Sequence, residues 1–140
     1  TLMAEARAAQ GRERTWLYKL DWPAPMYQGQ RISPHSLDLP FVFDNVTKGS
    51  GPRMVGPPTS DTAALSNTMA ETWLAFARSG NPNNAAIPQW RPSETSDRTT
   101  MIFDVPPHVE NDPYQAEREF MAQYPSTQTG NGRFRSLADD

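Results

Sequence analysis

The sequence predicts an α/β fold whose sheet the chain does not complete by itself. Three observations lead there. The run "TWLYKLD" at residues 15–21 puts Trp16, Tyr18 and Leu20 on one side and Leu17 on the other, with only Lys19 to spoil a strand buried on both faces. Leu65, Met69, Trp73, Phe76 and Ala77 recur at helical spacing and need a surface to lie on. "TTMIFD" at 99–104, with Met101 and Phe103 on one side and Ile102 on the other, is the one other good strand. Two strands cannot form a sheet with both faces covered, so the expectation is an incomplete α/β unit. A self-sufficient small α+β domain is the competing reading.

The elements follow in order. "TLMAEARAAQ" is rich in good helix formers and Gly11 supplies a stop, which predicts a short first helix. After the 15–21 strand, "WPAPMYQGQRISPHS" carries three prolines and a glycine, so it reads as an irregular surface connection. "LDLPFVF" is apolar enough for a buried return into the body of the protein, although Pro40 argues against a central strand. The "GSG" at 49–51 lies in what reads as a flexible Gly-Pro region. The helix over 61–79 can be capped by Thr59, Ser60 or Asp61 and is stopped by Gly80 and Pro82. "NDPYQAEREFMAQY" offers Asp112 as cap, Pro113 at the first helical position and Gln115 for a reciprocal cap, with Ala116, Phe120, Met121 and Tyr124 as its stripe. Residues 1–124 are expected to form one segment and 125–140, without an apolar period, a flexible tail.

Composition narrows the function classes. Fourteen prolines in 140 residues is about twice the usual frequency and marks a loop-rich chain. Thirteen basic against sixteen acidic residues, net −3 and without a basic block, recommends neither nucleic acid nor an anionic membrane as partner. With no cysteine there is no disulfide framework, and the compartment stays open. Two histidines, no cysteine and no His-Glu-x-x-His spacing make a metal site improbable, and no glycine-rich phosphate cradle is present, so neither metal nor cofactor is expected. No apolar run approaches the ~20 residues that span a bilayer. The chain starts at Thr1 with neither a signal peptide nor a methionine, as the middle of a longer protein would.

"SPHSLDLPFVFDN" at 33–45 resembles the histidine motif of the type-B carboxylesterases and cholinesterases, a histidine followed three positions later by an acidic residue and then by "PFVF". Other stretches resemble the family in the right order: "WLYKLDWP" its strand before the histidine loop, "LSNTMAETWLAFARSGNPN" with "PQW" its tryptophan-bearing helix, and "TTMIFD" its late strand. The resemblance covers about residues 1–113 and fades in the last helix and tail. It implies the C-terminal part of an α/β-hydrolase fold, made of late sheet strands, the catalytic-histidine loop and C-terminal helices. The implied activity is that of a serine carboxylic-ester hydrolase acting on a small-molecule ester.

Ester hydrolysis through an acyl-enzyme needs a base that takes a hydroxyl proton and returns it near neutral pH, and an imidazole with an unperturbed pKa of ~6.5 suits the task. His35 is the candidate. Pro34 on one side and the apolar anchor Leu39, Phe41, Val42 and Phe43 on the other limit how far its loop can wander. No Gly-x-Ser-x-Gly occurs, and "GSG" lacks its spacing. In the implied fold serine, acid and histidine follow one another in the chain, so a C-terminal piece keeps only the last. The nucleophile, its acid and the oxyanion hole are expected upstream. Asp38 is too close in sequence to reach the outer ring nitrogen of His35, and is expected to support the loop through backbone hydrogen bonds. Trp22, Met26 and Tyr27 are candidates for the wall of an acyl or alcohol pocket, and loop packing explains them equally well. Asp21 and Asp44 read as turn-forming or solvated, and Asp44 stands where relatives often carry glycine. His108, in "VPPHVENDP", reads as a solvated loop residue.

Two other classes compete. One is a non-catalytic binding or adhesion module on the cholinesterase fold, which an upstream Gly-x-Ser-x-Gly would exclude. The other is a proline-rich interaction domain, disfavoured because its "PAP" and "PP" pairs sit between buried-looking elements. As an object in solution, a chain with an unpaired strand and an exposed helix face is expected to pack against the remainder of its enzyme or against a copy of itself.

Overall fold

The computed structural model describes residues 2–11, 14–25 and 33–124. Its elements are α1 (Leu2–Ala9), β1 (Leu17–Leu20), α2 (Asp38–Val42), α3 (Gly51–Val55), α4 (Ser60–Ser79), β2 (Thr99–Phe103), β3 (His108–Asn111) and α5 (Gln115–Met121). The expected tail from 125 onward lies outside the described residues.

The sheet has the order β1-β2-β3, with β1 parallel to β2 and β3 antiparallel to it. Leu17 pairs with Thr100 and Leu20 with Phe103, so the alternation read from each strand is in phase across the pair. Every residue of β2 is buried, as befits the central strand. β1 differs from the expectation of burial on both faces: Tyr18 keeps 39% of its surface, because β1 is an edge strand among the described residues. Lys19 points to the opposite side, where it bonds the Tyr114 hydroxyl, lies 4.5 Å above that ring and pairs with Asp21 at 3.2 Å.

α4 packs on the face that carries Tyr18, Met101 and Phe103. Trp73 meets the Tyr18 ring edge-on at 4.8 Å and Phe103 at 5.8 Å, while Trp90 closes the cluster against Trp16 and Phe103. Leu65 and Met69 complete the core with Leu20, Leu37, Phe41 and Val55. Of the three candidate caps, Thr59 is the one used: its hydroxyl accepts from the Thr62 amide at 3.1 Å and the Thr62 hydroxyl accepts from the Thr59 amide at 2.8 Å. Gly80 ends the helix in the left-handed conformation, φ 70°, and its carbonyl accepts from the Trp16 indole. The buried face departs from the apolar stripe. Thr62, Ser66 and Thr72 lie inside with Leu65 and Met69, whereas Phe76 is 47% exposed and Ala77 is exposed. The inward hydroxyls are satisfied locally, Thr72 by the Thr68 carbonyl at 2.7 Å and Ser66 by Asp44 at 2.8 Å, which removes the penalty that hydropathy assigns them.

Three further expectations are corrected, and one is given its form. "LDLPFVF", the expected buried return that Pro40 kept from being a central strand, is the short helix α2: Pro40 occupies the third position of its first turn, where the missing amide has no intrahelical partner to lose, and Pro40 and Phe41 are buried. "GSGPRMV" is ordered rather than a flexible stretch, and its residues 51–55 are α3. "HVEN" is β3 rather than loop; its signal is faint because only Val109 is even half-buried in this edge strand. His108 is nonetheless exposed, as expected, and faces Glu110 at 3.1 Å, two residues on and therefore on the same side. Asp112 does not cap α5. It and Tyr114 have positive φ, so Pro113 sits in a turn before the helix, and the Asp112 carboxylate is held by Arg118 at 2.6 and 3.0 Å. The Arg118 hydrogen bond and the charges of Arg118 and Arg98 keep that carboxyl below the usual range. Arg98 extends the network to Glu5 of α1 at 2.7 Å. α5 buries no residue among those described, and its Phe120 and Tyr124 rest on each other at 5.4 Å.

Gly51 shows why α3 is ordered. A Cβ there would stand 2.5 Å from the Asn45 carbonyl oxygen and 2.8 Å from that of Val46, both backbone atoms that cannot step aside singly. Gly51→Ala should therefore destabilise the complete protein by about 1–3 kcal/mol, the range for forced overpacking, read as a lower denaturant midpoint at unchanged slope. An unchanged midpoint would show that the 45–51 turn yields freely.

Candidate active site

The site is built where β1 ends. Asp21 continues the ladder by donating its amide to the Phe103 carbonyl at 2.8 Å, and the chain then leaves the sheet at Trp22. It is recovered at Ser33, which is tied to Trp22 three ways: Ser33 N–H to the Trp22 carbonyl at 3.1 Å, Trp22 N–H to the Ser33 hydroxyl at 2.9 Å, and that hydroxyl to the Trp22 carbonyl at 3.1 Å. The excursion between them is thus closed at its neck. Trp22 is itself immobilised, its indole donating to the Val55 carbonyl at 2.9 Å and its ring meeting Phe41 edge-on at 5.4 Å.

His35 follows two residues after this clamp, in a turn closed by the Leu37 amide on the Pro34 carbonyl at 3.1 Å. Ser33 and Ser36 flank it with φ of 46° and 67°, left-handed conformations that residues with side chains rarely adopt, so the turn is held by its surroundings. The imidazole is exposed, and among the described residues it has no hydrogen-bond partner. It looks onto an open groove of about 700 Å³ whose walls include Tyr18, Asp21, Ser33, Ser36 and Asp38. This groove lies outside the carboxyl end of a parallel strand pair, where open α/β sheets place their ligands.

Asp38 is the first residue of α2, and its carboxylate accepts a hydrogen bond from the Tyr18 hydroxyl at 2.8 Å. Its support of the loop therefore runs through a side chain on β1 rather than through backbone amides, which corrects the expected manner of its action. Burial pushes the Tyr18 phenol up to about 12, with the hydrogen bond to Asp38 and that carboxylate's charge adding to the shift. Asp44, after α2, has φ 47°, a left-handed conformation that glycine adopts without strain, and its carboxylate accepts from the Ser66 hydroxyl at 2.8 Å.

Of the sequence candidates, the structure brings His35 and Asp38 to one groove without joining them by a hydrogen bond. Trp22 packs behind the loop neck and is not among the groove's lining residues, while Met26 and Tyr27 lie outside the described residues. Tyr18 and Ser33 were not singled out by sequence. Each works through a partner distant along the chain, and spacing carries no trace of that. The Ser33 hydroxyl is committed to Trp22 and is not paired with His35, so it is not an activated nucleophile. Among the described residues no group of three or more His, Cys, Asp or Glu side chains is arranged to hold a metal ion, and no helix is long and apolar enough to cross a membrane.

Known proteins match this arrangement. The family model described as the carboxylesterase family covers residues 1–121, reaching into α5. Para-nitrobenzyl esterase of Bacillus subtilis (strain 168) is 32% identical over 117 residues, which is 84% of this chain and 23% of that protein. Phenmedipham hydrolase of Pseudarthrobacter oxydans is 27% identical over 101 residues, 71% of this chain and 20% of the other. Among solved structures, a carboxylesterase of Geobacillus stearothermophilus superimposes with a TM-score of 0.70 at 35% identity, over 83% of this chain and 23% of its own. The chain thus spans about 23% of the length of these first relatives. With the motif, the groove and these likenesses in agreement, the chain belongs to the carboxylesterase family and carries part of its α/β-hydrolase fold.

Proposed function

We propose that His35 is the general base of a serine carboxylic-ester hydrolase, with the nucleophile, the acid that orients the imidazole and the oxyanion donors supplied by polypeptide outside these 140 residues. The observation that carries this reading is the exposed, unpartnered imidazole held in a strained turn at the carboxyl edge of the parallel pair. A histidine serving only to stabilise a loop would be expected to use its ring nitrogens within that loop. Here both are left for groups that arrive from elsewhere.

In the assembled site the imidazole takes the proton of the serine hydroxyl as the oxygen attacks the ester carbonyl, and gives it to the departing alcohol. It then takes a proton from the water that attacks the acyl-enzyme and returns it to the serine oxygen as the acyl–oxygen bond breaks, which releases the acid and restores both the hydroxyl and the free base. The substrate is a small-molecule carboxylic ester, in keeping with the esterases among the relatives. No cofactor or metal takes part in these steps.

Two outcomes test the reading. In the complete protein His35→Ala should fold as the parent does, because the exposed ring has no hydrogen-bond partner among the described residues and its turn is held by backbone and neighbouring side chains, and should lose about 10⁴- to 10⁶-fold in kcat on an activated ester. Full retention of activity would remove His35 from the mechanism. The second concerns the 140-residue chain produced alone, which should have no esterase activity, since a base without nucleophile and oxyanion donors retains little catalytic power. Of the α4 residues expected to be exposed, Leu65, Met69, Trp73 and Phe76, the first two are buried in this chain's own core and Trp73 is half-buried; the β1 edge with exposed Tyr18 and the exposed Phe76 should still draw the chain onto the remainder of its enzyme or onto a copy of itself. Gel filtration with light scattering reads this, and a monodisperse monomer that melts cooperatively would restore the self-sufficient domain.

A further inference from the structure

We propose that the Tyr18 hydroxyl and the Asp38 carboxylate form a positioning pair that sets the angle at which the His35 turn meets the groove; this rests on the reading of His35 as the general base. The turn hangs between two fixed points. On its N-terminal side Ser33 is clamped to Trp22, and on its C-terminal side Asp38 is tied to β1 through Tyr18 at 2.8 Å. Between them lie Ser33 and Ser36 in left-handed conformations, which relax readily once either end is released. Leu37, buried where the turn enters α2, sets the depth of the turn.

Tyr18 is a firm post for this purpose. Its ring is gripped edge-on by Trp73 at 4.8 Å and by Phe103 at 5.9 Å, so the hydroxyl is carried by the sheet core. With its phenol pushed up to about 12 it remains a donor throughout the range in which an imidazole acts as a base. Docking of α2 does not depend on the bond, because Leu37, Pro40 and Phe41 already bury it. The hydrogen bond is also solvent-exposed, where such contacts add little stability. Its effect falls instead on orientation, to which a proton transfer is sensitive: a displacement near 1 Å can cost about a hundredfold in rate.

The experiment uses the complete enzyme with Tyr18→Phe, Asp38→Ala, the two combined, Asp38→Asn and His35→Ala, and measures kcat, KM and the unfolding midpoint of each. Tyr18→Phe and Asp38→Ala should each lower kcat about tenfold, with KM changed less than about twofold and the midpoint nearly unmoved. The double variant should be no worse than either single one, since both remove the same bond. Asp38→Asn should recover most of the loss, because its amide oxygen still accepts from the phenol. A parent-like kcat in Tyr18→Phe, whatever happens to stability, would overturn the pair, as would losses that multiply in the double variant. If His35→Ala is inactive while Tyr18→Phe is unaffected, only the pair falls. If His35→Ala is active, the reading beneath it falls as well.

Discussion

The parallel pairing of β1 with β2 is the constraint on which the rest of this structure depends. Parallel neighbours cannot be joined by a tight turn, so the chain must return to the start of β2 by a long crossover, here residues 21–98. That crossover carries the His35 turn and Asp38. It leaves β1 at the carboxyl edge, makes the histidine turn there, docks α2 and α3 beneath it, and then carries α4 back across the face bearing Tyr18 and Phe103. The position of His35 follows from strand direction: reversing β1 would move Asp21 and Trp22, and the turn clamped to them, to the opposite edge.

α4 and β1 were legible in the sequence because each has one dominant signal, a helical period ended by Gly80 and a short apolar run on both faces. Where reading failed, local chemistry had replaced hydropathy. Thr62, Ser66 and Thr72 face inward because their hydroxyls find acceptors nearby, while Phe76 faces outward beyond the width of sheet these residues provide. Pro40 did exclude a central strand, as read, but the short helix it permits was not foreseen, because its place in the first turn of α2 makes its missing amide harmless. β3 was overlooked because an antiparallel edge strand with one half-buried residue has almost no pattern to detect. The start of α5 was misplaced because Asp112, a good cap by type, is more strongly engaged by the Arg118 guanidinium.

The site divides along the same line. His35 was readable through the motif around it, since Pro34, Asp38 and "PFVF" are close in sequence and their order is distinctive. Its supports were not, because they are pairings across the fold. Ser33 meets Trp22 eleven residues back, and Asp38 meets Tyr18 twenty residues back. Trp22 had two readings, a pocket wall or loop packing, and among the described residues its contacts are of the second kind: its indole donates to the Val55 carbonyl, its ring meets Phe41 edge-on, and its backbone holds the neck of the loop.

The hydrogen bonds that brace the turn join residues between 18 and 55, Tyr18 being held in turn by Trp73 and Phe103, and none of them reaches the imidazole nitrogens. On the proposed reading of His35, the backbone that presents the ring is braced within this chain, whereas the groups that bind its nitrogens come from other parts of the enzyme. Such a separation has a physical advantage. A ring hydrogen-bonded within its own loop would have one nitrogen occupied and its tautomer already chosen, so a nucleophile and an orienting acid could not both bind it. On the reading of His35 as the base, the three hydrogen bonds at Ser33 and the one at Asp38 brace the backbone on either side of it, which would limit the entropy cost of orienting the ring while leaving both nitrogens for the proposed catalytic partners.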